Sequence, residues 1–160
     1  MRAIGVVLIL FACLLIERTY RKRIFYKERV LFELCEFFGA VVNGLSQSVR
    51  PISELASGVE LPELLASGFL GDVLDGKVIA DAYENAREAL SVSEKIDTYL
   101  RGFFKYGIHG TRKEALEAAS LVLRELKDEH ASMRGQCEVK ARLMRVILIS
   151  LGIGIGIAVI

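Results

Sequence analysis

The stretch RKRIFYKERVLFELCEFFGAVVNGL, residues 21–45, carries the pattern that decides the fold. Its apolar residues recur at alternating steps of three and four, which places them along one face of a helix. Nothing interrupts the helical pattern between Ile16 and Leu45, so one long, unbroken helix is predicted. The apolar face consists of Ile24, Leu31, Leu34, Cys35, Phe38, Val41, Val42 and Leu45.

A second long helix is predicted toward the other end of the chain. Thr111 and Glu114 fit a capping box, in which a hydroxyl and a carboxylate satisfy the exposed amides of a helix start. Gly135 alone weakens the pattern that follows, by roughly 1 kcal/mol. The apolar positions on one side of this helix are Ala115, Ala118, Ala119, Val122, Leu126, Met133, Cys137 and Met144.

Shorter helices are predicted between the two long ones. Pro51 and Pro62 each suit the first turn of a short helix, and Ser91 with Glu94 fits a second capping box. The least regular stretch is marked by Gly68, Gly71 and Gly76. No segment alternates with period two for long enough to indicate a strand, so the predicted fold class is all-α. The best candidates for its core are Phe38 and Phe103.

Two apolar runs, residues 3–16 and 146–160, contain no charged residue, and basic residues crowd the inner side of each. Because cationic side chains are retained on the cytoplasmic side of a membrane, both flanks predict a cytoplasmic middle and external termini. We expect transmembrane helices at 1–20 and 142–160 around a cytoplasmic helical bundle at 21–141. Both runs are shorter than the roughly 20 residues that cross a bilayer. Snorkelling arginines and local bilayer thinning would therefore have to complete each span.

The overall charge is balanced, but its distribution is uneven. The formal net charge is +1, which provides no excess of positive charge for a nucleic-acid partner. Residues 48–100, however, contain ten acidic and four basic side chains. Such a stretch is usually a solvated face; the sharper hypothesis is a docking surface for a basic partner. Its predicted contacts are Glu54, Glu60, Glu63 and Asp72, and the turn from Tyr106 to His109 is a second candidate.

The sequence contains no recognisable catalytic or cofactor motif. It has no phosphate-binding loop, no nucleophile elbow and no pair of histidines at metal-ligand spacing. His130 follows Asp128 and Glu129, but a solvated helix face explains that cluster better than a metal site does. We therefore predict a protein that is not an enzyme, with no metal, cofactor or small-molecule substrate.

Small residues in the two apolar runs are candidates for helix packing within a bilayer. Gly152 and Gly156 form a GxxxG step, which lets a second helix approach closely. Gly5 or Ala12 of the first run would be the partner position. The alternative is that glycines are simply common in membrane helices.

Four features of the chain resemble the stage III sporulation protein AB family of endospore-forming bacteria. The short N-terminal span leads into a basic amphipathic helix. The segments SVRPISELAS, residues 48–57, and LRGFFKYGIHG, residues 100–110, are similar to the family's proline turn and to its glycine-rich stretch before the long helix. The ending RLMRVILISLGIGIGIAVI, residues 142–160, resembles its C-terminal span.

This resemblance implies a helical domain similar to that of type II secretion platform proteins. It also implies a membrane-anchored platform for a secretion-type ATPase, stage III sporulation protein AA, among the other subunits of the complex between mother cell and forespore. The expected location is the outer membrane of the forespore. Two alternatives stay open: a structural subunit of another bacterial envelope machine, and an exported lipoprotein processed at Cys13.

Overall fold

A computed structural model describes the backbone of residues 2–47, 52, 54 and 58–159. Side chains are described at positions 11–12, 14–47, 52, 54, 58–151 and 154. Throughout this part of the chain the regular structure is helical and contains no strand, which confirms the predicted all-α class. The predicted short helix after Pro51 lies mostly outside the described residues; only Ile52 and Glu54 there are described, and both are helical.

Among the helices whose bounds are described, two long ones stand before and after four short ones in chain order. The helices are α1 (Arg2–Gln47), α2 (Pro62–Ala66), α3 (Phe69–Leu74), α4 (Ile79–Leu90), α5 (Glu94–Lys105) and α6 (Arg112–Val159), with a 3₁₀ turn at Gly107–His109. The unbroken helix predicted through residues 16–45 is confirmed by α1. The chain forms two compact units: residues up to Glu28 with those from Ser132 onward, and residues Arg29–Ala131.

The stretch around the three central glycines, predicted to be the least regular, contains a short helix between two turns. Helix α3 lies there, and it buries Phe69, Leu70 and Val73. Gly68 and Gly76 have φ angles of 85° and 79°, so both adopt the left-handed conformation that glycine accepts without strain. These two glycines flank a helix rather than interrupting one.

The predicted capping box at Ser91 and Glu94 was wrong. Ser91 closes α4 in the left-handed region with φ 49° and ψ 40°. The cap of α5 is Ser93 instead, whose hydroxyl accepts a hydrogen bond from the Ile96 amide at 3.4 Å. The capping box at Thr111 is confirmed: the Thr111 amide donates to Glu114 Oε2 at 2.7 Å.

The Arg29–Ala131 unit has an aromatic core. Phe38 is fully buried and Phe103 is 3% exposed, as predicted. The two rings meet nearly edge to face at 5.2 Å between centroids. Further ring contacts extend the cluster across α1, α3, α4 and α5. Its members are Phe37, Phe38, Phe69, Tyr83, Phe103 and Phe104.

Within this same unit, α1 and α6 run antiparallel. The Arg112 guanidinium donates hydrogen bonds to the carbonyls of Leu45 and Ser46 at 2.6 and 2.7 Å. Further along α6, the His130 ring lies 5.8 Å from the ring of Phe32. Arg112 thereby satisfies carbonyls that the last turn of α1 leaves without helical partners.

The other unit pairs the remaining parts of α1 and α6, also antiparallel. Cys137 Sγ lies 3.7 Å from the Ile24 carbonyl oxygen, and Arg145 Nε lies 3.0 Å from Glu17 Oε1. Large apolar side chains point outward beside these contacts, each at least half exposed: Phe11, Leu14, Leu15, Ile16, Leu143, Val146, Ile147, Ile149 and Leu151. Among the described residues, no helix has the length and apolarity needed to span a membrane.

Candidate docking surface

The clearest surface feature of the Arg29–Ala131 unit is a turn that projects an aromatic side chain between two clefts. Helix α5 ends at Lys105, and the 3₁₀ turn that follows leads into α6. Gly107 lets this turn pack tightly: a Cβ there would lie 2.9 Å from Phe103 Cδ2 and 3.3 Å from Ala118 Cβ. The turn therefore packs directly against α5 and α6.

The two clefts share three residues of α5 and the turn: Thr98, Gly102 and Tyr106. The first has a volume of about 550 Å³ and lies between α4 and α5. The second, about 420 Å³, lies between α5, the turn and α6 and is lined mostly by apolar groups, including Leu121, which is 46% exposed. The shared residues form the ridge between the clefts.

Tyr106 is the most exposed part of this ridge. Its side chain is 68% exposed, and Lys105 Nζ lies 5.4 Å from the centre of its ring. An exposed tyrosine beside apolar clefts is typical of the anchors that dominate protein–protein binding energy. We call Tyr106, Lys105, Leu121 and the two clefts the Tyr106 surface.

An ion pair lies in the lining of the first cleft. Arg101 Nε lies 2.6 Å from Glu84 Oε1, and both side chains are about half exposed. Such an exposed pair contributes little to stability, because water screens it.

An ionic network centred on the buried side chain of Asp97 joins α4 to α5 near this cleft. Asp97 is 7% exposed and accepts hydrogen bonds from Tyr83 Oη at 2.8 Å and from Arg87 Nε and Nη2 at 2.8 and 2.7 Å. Burial alone would raise the pKa of the Asp97 carboxyl, but the hydrogen bonds from Arg87 and Tyr83 outweigh it and the pKa is lowered. Burial and the Asp97 carboxylate raise the pKa of the Tyr83 hydroxyl.

The capping box at the start of α6 adds a fixed negative charge to the second cleft. Glu114 is part of its lining, and hydrogen bonds from the Thr111 amide and hydroxyl lower the pKa of its carboxyl. The carboxylate stays ionised at neutral pH and helps to hold the turn that carries Tyr106.

The four acidic residues predicted as contacts lie on or before α2 and α3, and two are tied into ion pairs within the unit. Glu63 Oε1 lies 2.6 Å from Arg29 Nε, and Asp72 Oδ1 lies 2.7 Å from Lys77 Nζ. Asn85 Nδ2 also donates to Asp72, at 3.3 Å. Glu54 and Glu60 are exposed.

The other predicted site residues differ in how far the structure places them. His109 is exposed in the 3₁₀ turn, next to the Tyr106 surface. Ala12 is exposed on α1. Gly5, Gly152 and Gly156 have helical backbones but otherwise lie outside the described side-chain positions, as does the side chain of Cys13.

Sequence reasoning missed the carboxylate that caps α2. Leu61 precedes this helix and offers no side-chain oxygen, so the cap comes from Glu33 of α1. The Glu33 carboxylate, on a side chain that is buried, accepts from the amides of Glu63 and Leu64 at 3.0 and 2.9 Å. The only sequence signal is a proline-initiated helix that lacks a local cap.

The described side chains contain no group of three or more His, Cys, Asp or Glu residues arranged to hold a metal ion. Comparison with known protein families, with curated proteins and with solved structures finds no match to this chain.

Proposed function

We propose that this protein is a non-enzymatic, membrane-anchored platform that seats a cytoplasmic ATPase in a secretion-like complex of sporulation. The observation that carries the proposal is the Tyr106 surface, in which an exposed tyrosine stands between two clefts of the Arg29–Ala131 unit. The ATPase and the sporulation complex come from the sequence resemblance to the stage III sporulation protein AB family.

Anchoring is supported by the outward faces of the paired ends of α1 and α6. Nine large apolar side chains there are at least half exposed. Exposed apolar area of this kind is costly in water and favours contact with lipid or another protein. Basic residues inward of both runs, such as Arg18, Arg21 and Arg142, suit the anionic inner leaflet and favour a cytoplasmic middle.

The Tyr106 surface is a better seat than the acidic residues of α2 and α3. Glu63 and Asp72 already have cationic partners, so a basic ligand would have to displace Arg29 or Lys77. Tyr106 and Leu121 instead present apolar area that docking would remove from water. We therefore place the ATPase contact on Tyr106, with Lys105 and the Arg101–Glu84 pair at its rim.

Co-purification tests this proposal. The full-length protein is expressed with a tag beside the secretion-type ATPase, and the bound ATPase is quantified for wild type, Tyr106→Ala and Val78→Ala. Val78 is 63% exposed and serves as the matched control, because it is an exposed apolar residue outside the Tyr106 surface. We expect Tyr106→Ala to lower the recovered ATPase at least tenfold, as loss of an anchor worth about 1.4 kcal/mol or more would. Equal recovery from wild type and Tyr106→Ala would refute the seat, and no recovery from any variant would refute the partner.

Topology reporters test the anchor separately. Reporters fused at either terminus should report an external position, and one inserted at the exposed turn around Gly76 should report the cytoplasm. Arg145→Glu alone should not invert the second run, because Arg134, Lys140 and Arg142 keep the basic bias. A cytoplasmic signal from a reporter at Ile160 would contradict the two-span arrangement.

A further inference from the structure

The two charged residues that bound the apolar runs are paired with each other. Glu17 directly follows the first run, residues 3–16, and Arg145 directly precedes the second, residues 146–160. Their side chains meet at 3.0 Å between Arg145 Nε and Glu17 Oε1. A contact between positions 128 residues apart thus joins the inner ends of the two apolar runs.

We propose that the Glu17–Arg145 pair is a register lock that holds the inner ends of the two apolar runs level. The neighbouring contact agrees with this register: Cys137 lies opposite Ile24, so α6 advances eight residues while α1 retreats seven. A shift of either helix by one turn, about 5.4 Å, would separate the ionic groups.

The Glu17–Arg145 pair distinguishes one helix register from another, which the apolar contacts do poorly. Side chains such as Leu14, Ile16, Val146 and Ile147 are more than half exposed, so they distinguish poorly between registers. A single ionic or polar contact within an apolar helix pair is the device that best fixes alignment. Glu17 is only 19% exposed, so a slipped register would leave its carboxylate poorly solvated and without its cation.

Alignment of the inner ends of the two apolar runs matters most in a bilayer, and this part of the inference rests on the proposed function. Both runs are short, so neither has spare length to absorb an offset. Pairing also neutralises Glu17, which otherwise stands as an acidic residue among the basic residues Arg18, Arg21 and Lys22. The ion pair itself does not depend on the ATPase or on the sporulation complex.

Distance measurements between the helices test the lock. The full-length protein is placed in lipid nanodiscs with spin labels on unnatural amino acids at Lys22 and Val139, which are exposed and lie in the same register. Pulsed electron paramagnetic resonance should give one narrow distribution of distances between the two labels for wild type. Glu17→Gln or Arg145→Gln should broaden it and add populations shifted by up to one helical turn, about 5 Å.

The swapped pair, Glu17→Arg with Arg145→Glu, should restore the narrow distribution. If the single variants had broadened the distribution by unfolding the protein, the swap would not restore it. Arg134→Gln is the matched control, because its 3.7 Å contact with Glu138 lies within α6 and cannot set the register between helices. Unchanged distances in both single variants, or a swap as broad as they are, would overturn the lock. Because this readout involves neither ATPase nor reporters, it fails or succeeds independently of the proposed function.

Discussion

Replacing Phe38 with alanine should remove a large part of the stability of the Arg29–Ala131 unit. Phe38 is fully buried and contacts the rings of Phe37, Phe103 and Phe104 at centroid distances of 5.2–5.8 Å. Truncating a buried phenylalanine costs about 3–5 kcal/mol, and three ring contacts favour the upper end of that range. Small domains are stable by about 5–15 kcal/mol, so the variant should be close to unfolding.

The measurement is urea denaturation followed by far-ultraviolet circular dichroism, on a fragment covering residues 23–140. This fragment should be soluble and mostly helical, because the apolar stripes of its two long helices pair without lipid. Phe32→Ala is the matched control on the same helix: Phe32 is 49% exposed, so its loss should cost about 1 kcal/mol or less. A loss below about 1 kcal/mol for Phe38→Ala would mean that the buried face of α1 is assigned wrongly.

Three further predictions concern two helix ends and the ionic network around Asp97. Ser91→Gly should stabilise the unit by about 0.5–1 kcal/mol in urea denaturation, because Ser91 has φ 49°; a lower midpoint would contradict the left-handed cap. Thr111→Val should cost about 1 kcal/mol in the same assay by removing the hydroxyl of the capping box, and an unchanged midpoint would show that the cap contributes nothing. Because the pKa of Asp97 is lowered on folding, its stabilisation is complete above the unfolded pKa near 4 and is lost as the pH falls through the folded pKa. Asp97→Asn should therefore be less stable at pH 7 and lose less stability on acidification; parallel acid curves for the two proteins would contradict that role.

The long helices could be predicted from the sequence because their signals are local. Apolar residues at steps of three and four between Ile24 and Leu45 define α1, and the Thr111–Glu114 box marks the start of α6. The glycines of residues 68–76 give a weaker local signal: they indicate left-handed backbone, but they do not reveal whether they flank a helix or break it. Burial of Phe69 decided that question, and burial depends on the whole fold.

The contacts that build the site depend on residues far apart in the chain, and no periodicity reveals them. Glu33 caps a helix that begins about 30 positions later, and Asp97 gains Arg87 and Tyr83 only when α4 packs on α5. The acidic excess of residues 48–100 is real, but the sequence cannot show that Glu63 and Asp72 are already ion-paired. The composition predicted an acidic surface. Whether a given carboxylate is available to a partner depends on the ion pairs that form when the chain folds.

Site-directed photocrosslinking at Tyr106 tests the proposed seat most directly. A photoreactive phenylalanine analogue is placed at position 106, or at the equally exposed control position Val78, in the full-length protein inside cells that assemble the complex. The proposed platform predicts a covalent adduct with the secretion-type ATPase from position 106 and none from position 78. An adduct of equal yield from both positions, or an ATPase adduct from position 78 alone, would contradict it.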